Sequence, residues 1–198
     1  MSILAVAALI CGILYGASGA DIPFISAVSS RSELILCILM FSVGISIGFS
    51  RGIWAKIREY NIKILIIPAG VVAASVLGGA VCSMITGYSL QESLSVACGL
   101  GWYSLSGVTI TNLAGANLGS IAFLSNLMRE LFSFFSIPFL SRHFNSYSCI
   151  AAAGATSEDT TLPMMIRYTD EESVVLSVLN GIICSALVPV LISLCYKL

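Results

Sequence analysis

Long apolar segments constrain the fold of this chain more than any other feature. Seven stretches of roughly twenty residues, the length that an α-helix needs to cross a bilayer, alternate with short polar connections. They lie near residues 3–19, 33–50, 62–86, 92–115, 118–141, 147–168 and 173–196. The sequence therefore predicts an all-α integral membrane protein, a helical bundle of about seven spans that forms a single transmembrane domain over residues 1–198.

The overall composition agrees with this class. The chain is 58% hydrophobic and only 10% charged, with a mean hydropathy of +1.00, far from the values of soluble domains. Its net charge of −1 and the lack of a concentrated basic face argue against binding to nucleic acid. We therefore expect membrane lipid to surround the protein and a small molecule to be its ligand.

One basic loop predicts the orientation of the chain. Residues 51–63 hold Arg51, Lys56, Arg58 and Lys63 against a single acid, Glu59. The positive-inside rule places this loop in the cytoplasm, which puts the N-terminus there too. The sequence thus predicts a multi-pass membrane protein with a cytoplasmic N-terminus. With seven spans, the basic turn at residues 142–143 then falls outside, against the rule. The loop at residues 51–63 holds more basic residues, so it decides the predicted orientation.

A polar stretch interrupts the sixth segment. Residues 154–163 read GATSEDTTLP and place two acids, Glu158 and Asp159, at membrane depth, where charged groups are costly and usually functional. Gly at one end and Pro163 at the other predict a broken helix beside protein or a water-filled cavity. Because proline lacks an N–H, we expect the Asp159 carbonyl to be free for a ligand. The hydroxyls that line such a gap are Thr156, Ser157, Thr160 and Thr161, although hydroxyls of this kind also bond to their own helix backbone.

The fifth segment carries Arg129 and Glu130 near its middle. Helical spacing puts Ser125 over Arg129 and Asn126 over Glu130, so one polar stripe is expected to face the bundle interior. Arg129 has two interpretations of equal weight, a ligand-binding group or a structural ion pair with a carboxylate of the sixth segment. Three acids, however, exceed one intramembrane base, so at least one acid is expected to be neutral or bound to a cation.

The fourth segment is rich in Gly and Ser, which predicts a second broken helix. Trp102 and Tyr103 either stack against an amine or anchor the span at the membrane interface. Ser104 and Ser106 complete the group of candidate ligand-binding residues in this segment.

Three motifs give the chain a family resemblance. Residues 101–107 (GWYSLSG), 123–131 (FLSNLMREL) and 154–163 are similar to those of bacterial lysine exporters of the LysO type. The resemblance implies export of L-lysine and of lysine analogues across the inner membrane. It also implies that Glu130 and Asp159 are the functional intramembrane charges.

The chain departs from that family at two points. Glu158 stands at a position that resembles Met in the familiar members of the family, so this chain carries an additional negative charge there. Better-known members also carry further N-terminal spans, so a small membrane subunit or a second copy of the chain is expected to supply them. Seven spans plus about three would suit two inverted repeats with a broken helix in each, as in bile-acid-symporter-like folds.

The sequence thus predicts a secondary transporter that exports L-lysine, coupled to a proton or another ion. No cofactor is predicted, because the chain lacks an ATP-binding motif and its seven cysteines form no C-x-x-C pair. One alternative is an intramembrane acid/base enzyme, such as an aspartyl protease that uses Glu158 or Asp159. The other is a non-catalytic membrane subunit.

Overall fold

The computed structural model describes residues 63–198 without a gap. Before them it describes residues 10–12, 14–18, 22, 23, 31, 34, 38, 41 and 45. The chain divides into two compact units, Met1–Ile45 and Ser46–Leu198, and the elements discussed below belong to the second. The basic loop over residues 51–61 lies outside the described residues, so the orientation stays a prediction, as does the single transport domain.

From residue 63 onward the protein consists of helices and their connections. The helices are α1 (Lys63–Thr86), α2 (Leu90–Ala97), α3 (Tyr103–Ala114), α4 (Ala116–His143), α5 (Ser146–Ala153), a 3₁₀ helix (Gly154–Glu158), α6 (Leu162–Tyr168) and α7 (Glu171–Tyr196). The all-α prediction is confirmed for this part of the chain. The five predicted segments after residue 61 each coincide with helix.

Two of these segments are broken, as predicted from their Gly, Ser and Thr content. The fourth is split into α2 and α3 by residues 98–102, and the sixth is split into α5 and α6 by the 3₁₀ helix and a turn. Residues 98–102 are called break one below, and residues 154–161 break two.

Two described helices have the length and apolar character of a membrane span, over Leu65–Thr86 and Glu171–Tyr196. Helix α4 has 28 residues, which corresponds to about 42 Å at the α-helical rise. The number of spans in the whole chain stays a prediction.

The exposed face of α4 is apolar and its buried face is polar. Leu124, Met128, Phe132, Phe135 and Phe139 are between 44% and 77% exposed and recur at helical spacing. Asn126, Glu130 and Ser133 lie on the other face and are at most 3% exposed. This reversal of the soluble pattern fits a helix with lipid on one side and a polar bundle interior on the other.

Small residues let α3 and α4 pack closely after the turn at Gly115. A Cβ added to Gly119 would lie 2.9 Å from the Gly107 carbonyl, and one on Gly107 would lie 3.1 Å from Phe123 Cβ. Close approach of backbones at small residues is a common way to associate helices in membranes. Helix α3 is thereby held against the helix that carries Arg129 and Glu130.

Asp170 fixes the start of α7. Its carboxylate accepts hydrogen bonds from Ser173 N at 2.9 Å, Ser173 Oγ at 2.9 Å and Ser146 Oγ at 3.1 Å. It therefore caps α7 and ties the first turn of α5 to it. The hydrogen bonds from Ser173 and Ser146 hold the pKa of the Asp170 carboxyl below its ordinary value, because they stabilise the charged form.

We expect Asp170→Ala to lower the free energy of unfolding at pH 7 by about 1 kcal/mol, the typical value of such a cap. Because the pKa of Asp170 is lowered in the folded state, the stabilisation that depends on its charge is fully present above the unfolded pKa of about 3.9. This stabilisation is lost as the pH falls through the folded-state pKa. Thermal unfolding in detergent at pH 7 and pH 3 measures this. Asp170→Asn keeps the cap without the charge, so its stability should depend less on pH than that of the parent. Equal losses for Asp170→Ala at both pH values would contradict the charge-dependent cap.

Candidate functional site

Break one and break two cross in direct backbone contact. Ala155 N donates a hydrogen bond to the Leu100 carbonyl at 3.0 Å. Gly154 has a φ of +63°, and a Cβ added there would lie 2.6 Å from the same carbonyl oxygen. Only glycine therefore fits at this point, for reasons of both conformation and space. Two irregular segments that lie far apart in the sequence meet at one place in the bundle.

Asn126 of α4 holds break one. Its side-chain amide donates to the Val96 carbonyl at 3.0 Å, and its Oδ1 accepts from Gly101 N at 2.9 Å. The Val96 carbonyl, in the last turn of α2, also accepts from Gly99 N at 3.2 Å, so Gly101 N is the backbone group of break one whose hydrogen bond comes from Asn126. A buried backbone group without a partner costs about 1–3 kcal/mol. Asn126 thus makes an interrupted helix tolerable at this depth.

Asn180 of α7 does the same for break two. Its Nδ2 donates to the Gly154 carbonyl at 2.9 Å and to Ser157 Oγ at 3.0 Å. Ser157 and Ser177 then exchange hydrogen bonds, each hydroxyl donating to the other's carbonyl at 2.8 and 2.7 Å. Each break is therefore held by a buried asparagine from a neighbouring long helix.

Arg129 lies beside the crossing. A Cβ on Gly154 would be 3.0 Å from Arg129 Nη2, and one on Gly101 would be 3.9 Å from Arg129 Cδ. The guanidinium donates from Nη1 to Ser75 Oγ of α1 at 3.0 Å. The side chain thus touches both breaks and reaches α1.

The three acids occupy different surroundings near the same point. Glu130 is 2% exposed, whereas Asp159 is exposed and its Oδ1 accepts from Thr160 N and Thr160 Oγ1. Glu130 follows Arg129 on α4, whereas Asp159 belongs to break two. Glu158 is half-buried against Gly181 and accepts from Ser185 Oγ at 2.9 Å. The arrangement combines anionic groups with one guanidinium at a break in two helices.

Comparison with known proteins agrees with the motifs at this crossing. The sequence profile of the family described as lysine exporter LysO matches residues 6–196. The chain belongs to the lysine exporter LysO family. A relative from Escherichia coli (strain K12), named lysine exporter LysO, is 36% identical over 185 residues, which are 93% of this chain and 60% of the relative. One from Haemophilus influenzae (strain ATCC 51907 / DSM 11121 / KW20 / Rd), named putative lysine exporter, is 34% identical over 158 residues, 80% of each chain.

The chain therefore spans 60% of the length of the Escherichia coli family member. No solved structure gives a significant match. The prediction of family membership from the three motifs is confirmed.

Three of the candidate hydroxyls in this LysO-family chain have backbone partners. Thr156 Oγ1 donates to the Ala153 carbonyl at 2.9 Å, Ser157 Oγ to Gly154 and Ser177, and Ser106 Oγ to the Tyr103 carbonyl at 3.2 Å. These hydrogen bonds give the hydroxyls a structural role, and their role in ligand binding stays a prediction. Thr160 contacts the Asp159 carboxylate directly.

The aromatic pair and Ser104 lie at the start of α3, next to break one. Trp102, Tyr103 and Ser104 are half-buried. The Tyr103 ring packs edge-to-face on Phe123 with centroids 5.2 Å apart. Neither the amine-stacking nor the interfacial interpretation is decided by these contacts.

Two details of the sequence predictions are wrong. The Asp159 carbonyl is not free, because Leu162 N donates to it at 3.3 Å. Pro163 does not create the gap either, since it lies in the first turn of α6, where a missing N–H is harmless. The polar stripe of α4 is divided as well: Asn126 and Glu130 are buried, whereas Ser125 is exposed.

Asn180 was missed from the sequence, and Asn126 was recognised only as part of a stripe. Asn180 is the single amide of α7 and lies in otherwise apolar surroundings. A buried amide without a role is expensive, so this isolation was the available signal. Its partner could not be read from spacing, since the partners are 25 to 30 residues away.

We expect Gly154→Ala to disrupt the crossing, because the added Cβ meets the Leu100 carbonyl in addition to straining the backbone. Gly87→Ala is the matched control: Gly87 has a φ of +76° but nothing within 4 Å of the added Cβ. Gly154→Ala should therefore lower the thermal unfolding temperature and the monodispersity in detergent much more than Gly87→Ala does. Equal losses would mean that the crossing contact contributes nothing beyond backbone strain.

Proposed function

We propose that this chain exports L-lysine from the cytoplasm as a secondary transporter, with the crossing of the two breaks as its substrate site. The observation that carries the proposal is that Arg129 touches both breaks, while Glu130 follows it on the buried face of α4 and Asp159 belongs to break two. Carboxylates at membrane depth suit a substrate with ammonium groups, since charge-assisted hydrogen bonds are the strongest that a site can offer. The names of the two relatives support lysine as the substrate.

Helix breaks at a binding site have a physical reason. They bring backbone dipoles and helix ends to mid-membrane, where secondary transporters bind substrates and coupling ions. Break one precedes the start of α3 and break two precedes the start of α6. Small rearrangements of the two crossing segments would then alter access to the site from either side.

Proton coupling is part of the proposal. Glu130, buried on α4, is the group to which we assign the proton, and Asp159 is the group to which we assign the substrate ammonium. Glu158, hydrogen-bonded to Ser185, adds a third carboxyl next to Asp159 in the chain. Completion of the bundle by a small subunit or a second copy stays a prediction.

We expect Asp159→Asn to abolish uptake of radiolabelled L-lysine into inverted vesicles, because it keeps the side-chain volume but removes the charge that an ammonium group needs. Glu130→Gln should slow uptake and flatten its dependence on an imposed pH gradient. Glu172→Gln is the control, since Glu172 is an exposed acid in the first turn of α7. Expression and monodispersity of each variant are measured in parallel.

Several results would contradict the proposal. Parental vesicles that take up no lysine under any gradient would refute lysine export by this chain. Active vesicles in which Asp159→Asn transports normally would refute the site. Uptake that is unchanged in both variants while assembly is altered would favour a structural subunit, and cleavage of a reporter peptide by purified protein would favour the acid/base enzyme.

A further inference from the structure

We propose that Arg129, with Ser75, binds the α-carboxylate of the transported amino acid. This inference rests on the proposed function and adds the substrate class: amino acids with a free carboxylate, as opposed to simple amines. It starts from a cavity to which the second motif, residues 123–131, contributes Ser125, Asn126 and Arg129.

A cavity of about 510 Å³ lies between α1, α2 and α4. Arg129, Ser75 and Asn126 line it near the crossing, while Thr86 and Glu92 line it near the turn between α1 and α2. Ser75 and Thr86 are eleven positions apart on α1, about 16 Å at the helical rise. The cavity therefore leads from the α1–α2 turn towards the place where the two breaks meet.

The walls of this cavity leave room for a ligand beside Arg129. Gly78 lies on α1 about one turn from Ser75, and a Cβ added to it would meet nothing within 4 Å. Most of the other lining side chains are small or apolar. A charged group within such walls interacts more strongly with an opposite charge than it would in water.

Arg129 is the cationic side chain among the residues that line this cavity. Its guanidinium donates a hydrogen bond to a neutral hydroxyl, Ser75 Oγ. Between residues 63 and 198, no carboxylate comes within 4.0 Å of the guanidinium, which corrects the expectation of an ion pair with the sixth segment. A half-buried guanidinium with five donors and a neutral partner is suited to a carboxylate, which it can bind through two parallel hydrogen bonds.

The charges are arranged as a zwitterionic substrate requires. Arg129 and Glu130 are consecutive on α4, so their side chains leave the helix in different directions, one lining the cavity and one buried in the bundle. Arg129 Nη2 also lies beside break two at Gly154. A carboxylate on Arg129 would thus sit next to the crossing, at which break two contributes Asp159.

The test compares lysine with cadaverine, which is lysine without its carboxylate. Parental inverted vesicles should take up radiolabelled lysine, and unlabelled cadaverine should compete far less well than unlabelled lysine. Arg129→Gln should raise the KM for lysine at least about tenfold, the effect of losing one charge-assisted contact, and should bring the two competitors close to equal strength. Arg129→Lys should restore part of the discrimination, and Ser75→Ala should weaken it slightly.

Arg142→Gln is the matched control, because Arg142 is an exposed arginine in the last turn of α4. It should leave both the KM and the discrimination unchanged. If Arg129→Gln does not fold, Arg129→Lys and Ser75→Ala carry the comparison, and unaltered discrimination in both would overturn the subsite.

The outcomes separate the two proposals. Lysine uptake by parental vesicles with unchanged discrimination in Arg129→Gln overturns the carboxylate subsite and leaves the exporter intact. Parental vesicles without uptake overturn the exporter itself. An Arg129→Gln defect that varies with the anionic lipid content of the vesicles, at unchanged discrimination, assigns the guanidinium to a lipid phosphate and also overturns the subsite.

Discussion

The hydrogen bond from Ala155 N to the Leu100 carbonyl is the contact on which the rest of the site depends. It joins two interrupted helices at buried residues, where a free backbone group would be costly. Such a contact needs Gly154 for space and conformation. Once it is made, Arg129 of α4 lies beside break two, which carries Glu158 and Asp159, although the two segments are separated along the chain.

The two buried asparagines explain how this arrangement is held. Asn126 supplies partners for break one and Asn180 for break two, so the interrupted helices satisfy their backbone groups through a neighbouring helix. Amides suit this task because one side chain both donates and accepts without carrying a charge. The charged groups are thereby left to other tasks. The asparagines thus stabilise the crossing, which is consistent with the proposal that the charged residues bind the substrate.

Much of this architecture could be predicted from the sequence, and the failures have physical reasons. Both breaks were predictable because Gly, Ser and Thr accumulate in segments that are otherwise long enough to span a membrane. The assignment of the second break to Pro163 was wrong, since proline in a first turn starts a helix as readily as proline in the middle disrupts one. The Arg129 cavity could not be predicted, because it depends on which face of α1 meets α4, and hydropathy alone does not fix that contact.

Hydrogen–deuterium exchange of the purified protein in detergent, with and without saturating L-lysine, tests the central claim most directly. If the substrate binds at the crossing, lysine should slow exchange in peptides that cover residues 98–102 and 154–161. Exchange at the α1–α2 turn, residues 87–89, should change much less. Binding of lysine, measured independently by thermal stabilisation, together with protection elsewhere and none in the two breaks, would contradict the claim that their crossing is the substrate site.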